Sequence, residues 1–499
     1  MSYKKRAIKG VSWNLLSYIL TIPVAYGIRV LYAHELPKED VGLFYALLDL
    51  FSIFAIFRGL GVNAGIVRFI PKYLVKKEYG ILKSLILFGG IFNFFSTLLM
   101  TLIIVLLAPF IIKIYFHNSN LDYNFIYLCF VIIAIGFYFF DSIFGYISRV
   151  LQGFQKYFYL SLTKIFRIYL IFLFSLILIF IFNINNTLTP TISYSLYPII
   201  LTLIFGTILL KETKSLFNIK TSFNINSLKE LISYSSFIML NSVGGLILGY
   251  MDGVCLNLFR GLNVVADYRN VAMPITNIII YISTSIITVL FPMISELWEK
   301  GDKKILCYGI EKAYLYILAI GLPISLLLFV FPIIVINLLF GLNYITASEI
   351  IRVLSFSALF SSLSSLGFNI LNAIGKVKTS NKVLYIGAFL NLVLNLLLIP
   401  LFGGVGAGIA TLFSYFVMVL IQVYLIVKFL ENNFLSVKFL KLIVVNIVSL
   451  LLVTTIKDIG LFGGYNIIIQ IIFYFGMYLS LYMIGILKLK IINIKELKI

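Results

Sequence analysis

A small set of ionisable side chains interrupts otherwise apolar stretches of this chain: Arg29, Asp49, Arg58, Asp141, Asp252 and Arg352, with Arg269 about one turn inside another such stretch. A charge in hydrocarbon costs about 2.5–3.5 kcal/mol on insertion scales, so these groups are expected to face a helix-bundle interior or a wet cavity. The two residue types suit two chemistries. Guanidinium is always charged, and its planar fork binds phosphate oxygens bidentately. Aspartate can balance that charge or take a cation or proton. Gly387, Asn391 and Asn395 are spaced i, i+4, i+8 and share one helix face. They suit contact with sugar hydroxyls or interhelical hydrogen bonding beside small residues, and the latter is the stronger expectation. Histidine is confined to His34 and His117, and Cys129, Cys255 and Cys307 are isolated. Neither a histidine metal site nor a disulfide framework is expected.

The elements that hold these residues are membrane spans. Of 499 residues, 61% are hydrophobic and only 12% charged, and mean hydropathy is +1.08. Soluble domains carry about 25% charged residues, so a water-soluble enzyme is excluded. With roughly 20 apolar residues per crossing, spans are expected at 12–33, 41–60, 84–112, 123–148, 157–182, 190–210, 230–257, 264–292, 311–338, 346–374, 383–400, 403–427, 439–456 and 462–487. The expected fold is therefore an all-α polytopic membrane protein of fourteen helices. The formal charge of +20 follows the topology. Most lysines and arginines fall in alternate connections, while the intervening ones hold only Lys38, Lys113, Arg260, Arg269 and Lys457. That asymmetry places both termini in the cytoplasm. The basic fringe also suits anionic lipid headgroups, and it makes no case for nucleic acid. No G-x-x-x-x-G-K-[ST] phosphate loop and no clustered acids for magnesium occur, so a transporter is favoured over an ATPase or a transferase.

The chain also resembles itself. Leu36-Pro37-Lys38-Glu39-Asp40-Val41-Gly42 opens span 2, and Leu262-Asn263-Val264-Val265-Ala266-Asp267-Tyr268 opens span 8. Each is followed by a proline near the far end, Pro71 and Pro292. Both copies run the same way, which implies a parallel repeat of two six-helix lobes, 1–228 and 229–430, with spans 13 and 14 appended in 431–499. Such repeats commonly bind substrate at the lobe interface. At 1.5 Å per residue, Arg29, Asp252 and Arg269 lie roughly 6–8 Å below the outer ends of their spans, and Asp49 roughly 13 Å. Each lobe thus contributes one Arg and one Asp to the outer half. Arg29–Asp49 and Asp252–Arg269 are either substrate or gate residues or neutral pairs that satisfy each other. Asp49 and Arg58 are nine residues apart and face opposite sides, and Arg58 is expected to snorkel to the inner interface. Glu349 and Arg352 can pair at i, i+3. Asp141, Arg149, Lys164 and Arg167 lie toward the inner side of spans 4 and 5, where all but Asp141 read as an ordinary basic fringe. Pro23 is expected to bend span 1 as a hinge.

Several motifs carry a resemblance. Lys9-Gly10-Val11-Ser12-Trp13 through Leu36-Pro37-x3-Val41-Gly42, Phe340-Gly341-x2-Tyr344-x2-Ala347, Gly375-Lys376 and Asn391-x3-Asn395-x4-Pro400-x2-Gly403-Gly404-x-Gly406-Ala407-Gly408 are the most telling. Across essentially its whole length the chain resembles the polysaccharide-transporter and oligosaccharide-flippase branch of the multidrug/oligosaccharidyl-lipid/polysaccharide exporter superfamily. It departs at Ala266, where that family usually has glycine. Tyr268-Arg269-x4-Pro274 and Gly27-Ile28-Arg29 are similar to stretches of the bacterial lipid II flippases. The resemblance implies a central cavity whose arginines hold the diphosphate of a lipid carrier.

These observations point to a flippase, not an enzyme, moving a polyprenyl- or dolichyl-phosphate-linked oligosaccharide across the plasma membrane by alternating access. Arg29, Arg269, Asp49 and Asp252 are the leading site candidates. Arg58, Asp141, Arg352, Asn391 and Asn395 are secondary ones. No cofactor is expected, although Na+ or H+ could couple transport at Asp49 or Asp252. Expected partners are the lipid-linked oligosaccharide, membrane lipids and glycosyltransferases or a polymerase of the same pathway. An ion-coupled exporter of drugs or metabolites is the main alternative, and a polytopic sugar polymerase or glycosyltransferase a weaker one.

Overall fold

The structure, a computed structural model, describes residues 3–458 and 467–489. The connection before span 14 and the end of the tail lie outside the described residues. The chain forms α1 (Tyr3–Glu35), α2 (Lys38–Phe54), α3 (Val62–Val75), α4 (Tyr79–Tyr115), α5 (Tyr123–Ile133), α6 (Asp141–Gly153), α7 (Tyr157–Leu176), α8 (Leu188–Glu212) and the single turn α9 (Lys214–Phe217). It continues through α10 (Ile225–Arg260), α11 (Leu262–Ala266), α12 (Met273–Glu299), α13 (Lys303–Val330), α14 (Pro332–Leu339), α15 (Ala347–Ala373), α16 (Val377–Leu430), α17 (Val437–Asp458) and α18 (Ile467–Lys488).

Among the described residues, twelve helical segments are long and apolar enough to cross a membrane. One of them, α16, has 54 residues and turns at Gly403, where φ is 57° and ψ −132°. It therefore supplies two spans, separated where the sequence places the 401–402 connection. With the apolar α18, this gives the fourteen-helix fold. Helix ends follow local chemistry. Asp122, Asn224 and Asp302 accept bonds from the first free amides of α5, α10 and α13. Gly261, Gly341 and Gly375 follow helix ends with φ of 83°, 78° and 76°, a backbone that glycine adopts readily.

Span 2 differs from the expectation. Residues 41–60 read as one span ending at the Gly59–Gly61 pair, but the segment Lys38–Val75 is a single 38-residue crossing. The glycines do not terminate it; they re-aim it. Gly59, Leu60 and Gly61 have φ of 56°, 43° and 83°, and α3 resumes at once. The Tyr138 hydroxyl donates to the Phe54 carbonyl at 3.0 Å beside the break. A neighbouring span thereby satisfies a backbone group at a helix interruption inside the membrane.

Two compact units result, Met1–Ala266 and Asp267–Ile499. In the first, α10 packs along α2 and α3 because small residues allow close approach. A side chain at Gly42 would meet the Leu262 carbonyl, and one at Gly61 or Gly65 would meet Ser235. Lys72 pairs with Glu230 at 2.6 Å, Tyr73 donates to Ser227 at 2.7 Å, and Asn257 donates to the Tyr115 carbonyl at 2.7 Å. In the second unit, Tyr314, Leu366, Ile370 and Ile426 belong to one core. The connector after α16 docks on α13, where Lys303 binds Glu431 at 2.9 Å and holds its carboxyl below the usual range. The appended pair α17 and α18 is tied in by hydroxyls. Tyr478 donates to Asn446 and Tyr482 to the Ala319 carbonyl, both at 2.7 Å.

Candidate functional site

The first unit holds a polar cluster inside the membrane-spanning body. It begins at the break in span 2, which ends the α2 register at Arg58 and turns that side chain toward α6. Arg58 Nη1 donates to Asp141 Oδ2 at 3.0 Å, and Nη2 donates to the Phe137 carbonyl at 3.2 Å. Its guanidinium also lies 4.6 Å from the Tyr138 ring centre and 5.3 Å from that of Phe137. The expectation that Arg58 snorkels to the inner interface is therefore corrected. The side chain is only 12% exposed, because a carboxylate and two aromatic faces replace water around it.

Asp141 uses its other oxygen as well. The Tyr197 hydroxyl of α8 donates to Asp141 Oδ1 at 2.7 Å. Across the Tyr197 ring, at 5.0 Å from its centre, lies the guanidinium of Arg167. Asp141 is thus bound by Arg58 directly, and the Tyr197 that holds its other oxygen carries Arg167 on its ring. Arg167 lies ten residues after Tyr157 and fourteen before Ile181 in a 25-residue apolar helical segment. Behind Asp141 the cluster continues through neutral bonds. Ser142 donates to Asn93 Oδ1 at 3.2 Å and shares a 3.0 Å bond with Thr97.

The other predicted residues are placed as follows. Asp49 and Asp252 are buried, each 3% exposed, on α2 and α10. Arg29 is half-buried on α1, with its guanidinium 5.3 Å from the Tyr45 ring centre. In the second unit, Arg269 is 8% exposed and lies in a π-helical turn, Asp267–Ala272, between α11 and α12. Its Nη1 donates to the Met273 sulfur at 2.9 Å. None of Arg29, Asp49, Asp252 and Arg269 is without a partner. Arg352 pairs with Glu349 at 2.8 Å on an exposed face of α15, the i, i+3 contact expected from the sequence. Asn391 and Asn395 are fully buried. Asn395 donates to Asn391 at 3.1 Å, and Asn391 donates to Thr411 at 3.2 Å, joining the two halves of α16 across its bend. The Asn391–Thr411 bond runs between helix halves, whereas Asn395–Asn391 stays within one. Pro23 lies exposed within the continuous helix α1.

Sequence reasoning missed Tyr138, Tyr194 and Tyr197, and it assigned Arg167 to the fringe. A signal was present: Tyr194 and Tyr197 stand at i, i+3 on span 6, one polar-tipped aromatic face in an apolar run. No group of three or more His, Cys, Asp or Glu able to hold a metal occurs among the described residues.

A model of the polysaccharide biosynthesis protein family matches residues 7–298, more than half of the chain. The chain belongs to this family. The MatE family model matches residues 239–397, and together they place the protein among the flippases and transporters of the multidrug/oligosaccharidyl-lipid/polysaccharide exporter superfamily. It is 46% identical over 502 residues to an uncharacterized membrane protein of Methanocaldococcus jannaschii, covering 100% of this chain and 98% of that one. It is also 25% identical over 211 residues to a probable low-salt glycan biosynthesis flippase of Haloferax volcanii, covering 42% and 43% of the two chains. The fold matches that of the lipid II flippase MurJ in an inward closed conformation. The TM-score is 0.75 at 17% identity over 97% of this chain and 99% of that one. An inward-facing multidrug resistance transporter of the same superfamily aligns with a TM-score of 0.63 at 15% identity, covering 85% and 99%. With its apolar helices, the chain is a multi-pass membrane protein of that superfamily.

Proposed function

We propose that this family member is a flippase for a lipid-linked oligosaccharide, moving a phosphate- or diphosphate-bearing headgroup from the inner to the outer leaflet. The observation that carries the reading is the charge balance inside the first unit. Arg58 pairs with Asp141, and Arg167 lies over the ring of the tyrosine that binds the same carboxylate, so two guanidinium groups stand near one acid within the spans, where an excess positive charge is costly unless it has an anion to receive. A charged, hydroxyl-rich head crosses hydrocarbon slowly because it must shed its water. A polar cavity replaces that hydration while the tail stays in the bilayer. In this reading Arg29 and Arg269 hold the phosphate, Asp49 and Asp252 balance them when no substrate is bound, and Pro23 is the hinge of α1. An inside-negative potential favours outward movement by about 2.3 kcal/mol per negative charge per 100 mV. Na+ or H+ at Asp49 or Asp252 is the alternative source of coupling. The protein acts in the plasma membrane with both termini in the cytoplasm, beside the glycosyltransferases or polymerase of its pathway.

The test is a scramblase-free liposome assay with a fluorescent dolichyl-diphosphate-linked sugar, read as loss of fluorescence to an impermeant quencher. Reconstituted protein should speed the loss over protein-free liposomes. The MatE match at 239–397 favours a second reading, export of cationic drugs. Uptake of a cationic dye with no effect on the labelled lipid would establish that reading instead.

A further inference from the structure

Arg167 is unlike the other intramembrane arginine of its cluster. Asp141 has both oxygens engaged, Oδ2 by Arg58 and Oδ1 by Tyr197, and offers Arg167 no direct pairing. Among the described residues no acceptor takes a hydrogen bond from the Arg167 guanidinium; its contact is the Tyr197 ring. Its side chain is half-buried, and its nitrogens are not among the sealed polar atoms, whereas Arg58 Nε is. A guanidinium has five N–H donors. Here they are held in mid-span, reachable and unused.

The surroundings give those donors a direction. Tyr197 has its ring centre 6.3 Å from that of Tyr194 on α8, and Arg29 of α1 lies 5.3 Å from the ring centre of Tyr45, itself 5.1 Å from Phe44. A run of rings, Tyr45, Phe44, Tyr194 and Tyr197, therefore links the guanidinium of Arg29 to that of Arg167. Tyr194 is itself fixed by Phe44, with ring centres 4.8 Å apart. Tyr197, locked to Asp141 through its hydroxyl, is a rigid platform under Arg167.

We infer that Arg167 is a phosphate ligand of the transported headgroup, completing with Arg29 an anion site beside Tyr194, while Arg58 stays with Asp141 as internal support. The inference rests on the flippase reading and deepens it: the headgroup's phosphate contacts span 5 as well as span 1. A merely structural Arg167 would tether α7 to α8 through the Tyr197 ring and would be indifferent to phosphate.

The experiment uses the purified full-length protein in detergent with dolichyl phosphate as probe and uncharged dolichol as control, read by titration calorimetry. Wild type should prefer dolichyl phosphate. Arg167→Gln should weaken dolichyl phosphate binding at least about tenfold, the worth of a charge-assisted hydrogen bond, and leave dolichol binding unchanged. Arg167→Lys should keep part of the preference, since a point charge lacks the fork. A second measurement needs no variant: dolichyl phosphate should protect Arg167 from phenylglyoxal, read by peptide mass spectrometry. Unprotected Arg167, or wild-type affinity in Arg167→Gln, overturns the inference while leaving the flippase reading intact. A wild type that does not distinguish dolichyl phosphate from dolichol overturns both.

Discussion

Breaking the Arg58–Asp141 contact is the sharpest test of how the first unit is held together. The pair is 3.0 Å long, and its side chains are 12% and 17% exposed. Removing one partner from a buried pair costs about 3–5 kcal/mol, because the other charge is left uncompensated. Two features lower that figure for Arg58→Ala. Asp141 keeps the Tyr197 hydroxyl, and its partial exposure admits water, so about 3 kcal/mol is expected. Asp141→Ala strands Arg58 against Phe137 and Tyr138, whose ring faces and carbonyl still solvate it; about 2–3 kcal/mol is expected. The double variant leaves no charge behind. It should be less damaging than the sum of the singles by about 2 kcal/mol, within the range for residues that touch. The assay is reversible unfolding of the full-length protein in mixed detergent and dodecyl sulfate micelles, completing the double-mutant cycle. Additivity within about 0.5 kcal/mol would refute the pairing. A near-neutral Arg58→Ala would restore the snorkelling position that the fold excludes.

Four further outcomes are expected. Gly61→Ala should destabilise the protein by about 2 kcal/mol or more in the same assay, since φ of 83° disfavours a side chain and the new methyl meets the Ser235 carbonyl; a neutral result would mean that α3 and α10 do not pack there. Pro23→Ala should slow transport with little loss of folded protein, measured as lipid flipping per folded molecule, and unchanged flipping would reduce Pro23 to a passive feature. Single cysteines at Asn186 and Asn218 should react with an impermeant maleimide from opposite sides, against a quiet background because Cys129, Cys255 and Cys307 are buried; labelling from one side would break the fourteen-span topology. Arg29→Ala should abolish flipping while leaving stability nearly intact, and adding Asp49→Asn should not restore it. Recovery in that double variant would make Arg29 a counter-ion of Asp49 rather than a phosphate ligand.

The spans were legible because hydrocarbon imposes one demand at every position: about 20 consecutive apolar residues. Even the bend in α16 could be read, since Pro400 and Gly403-Gly404 stand between two apolar runs of full length. The polar interior was harder because its signals are shared with other situations. Gly59-Leu60-Gly61 looks like the end of a helix, and only the fold shows that three left-handed residues turn span 2 toward Asp141 instead of ending it. The surroundings of Arg167 were illegible for a related reason. Counting positive charges sets orientation well, but it treats every basic residue near a presumed inner end as fringe. What separates fringe from function is the company a charge keeps. Arg149 lies at the exposed end of α6 and donates to Gln152 at 2.8 Å, whereas Arg167 is held over the ring of a tyrosine that already binds Asp141. That difference arises from contacts between helices, with Arg167 and Tyr197 standing 30 residues apart in the chain and Tyr197 and Asp141 56, and no spacing within span 5 encodes it. The same reasoning divides the asparagines from the arginines. Asn391 and Asn395 bond to each other and Asn391 to Thr411, so their bonds serve the joint of α16. The guanidinium of Arg167 rests instead on the Tyr197 ring, and its fork of donors is what would receive a phosphate in the proposed site.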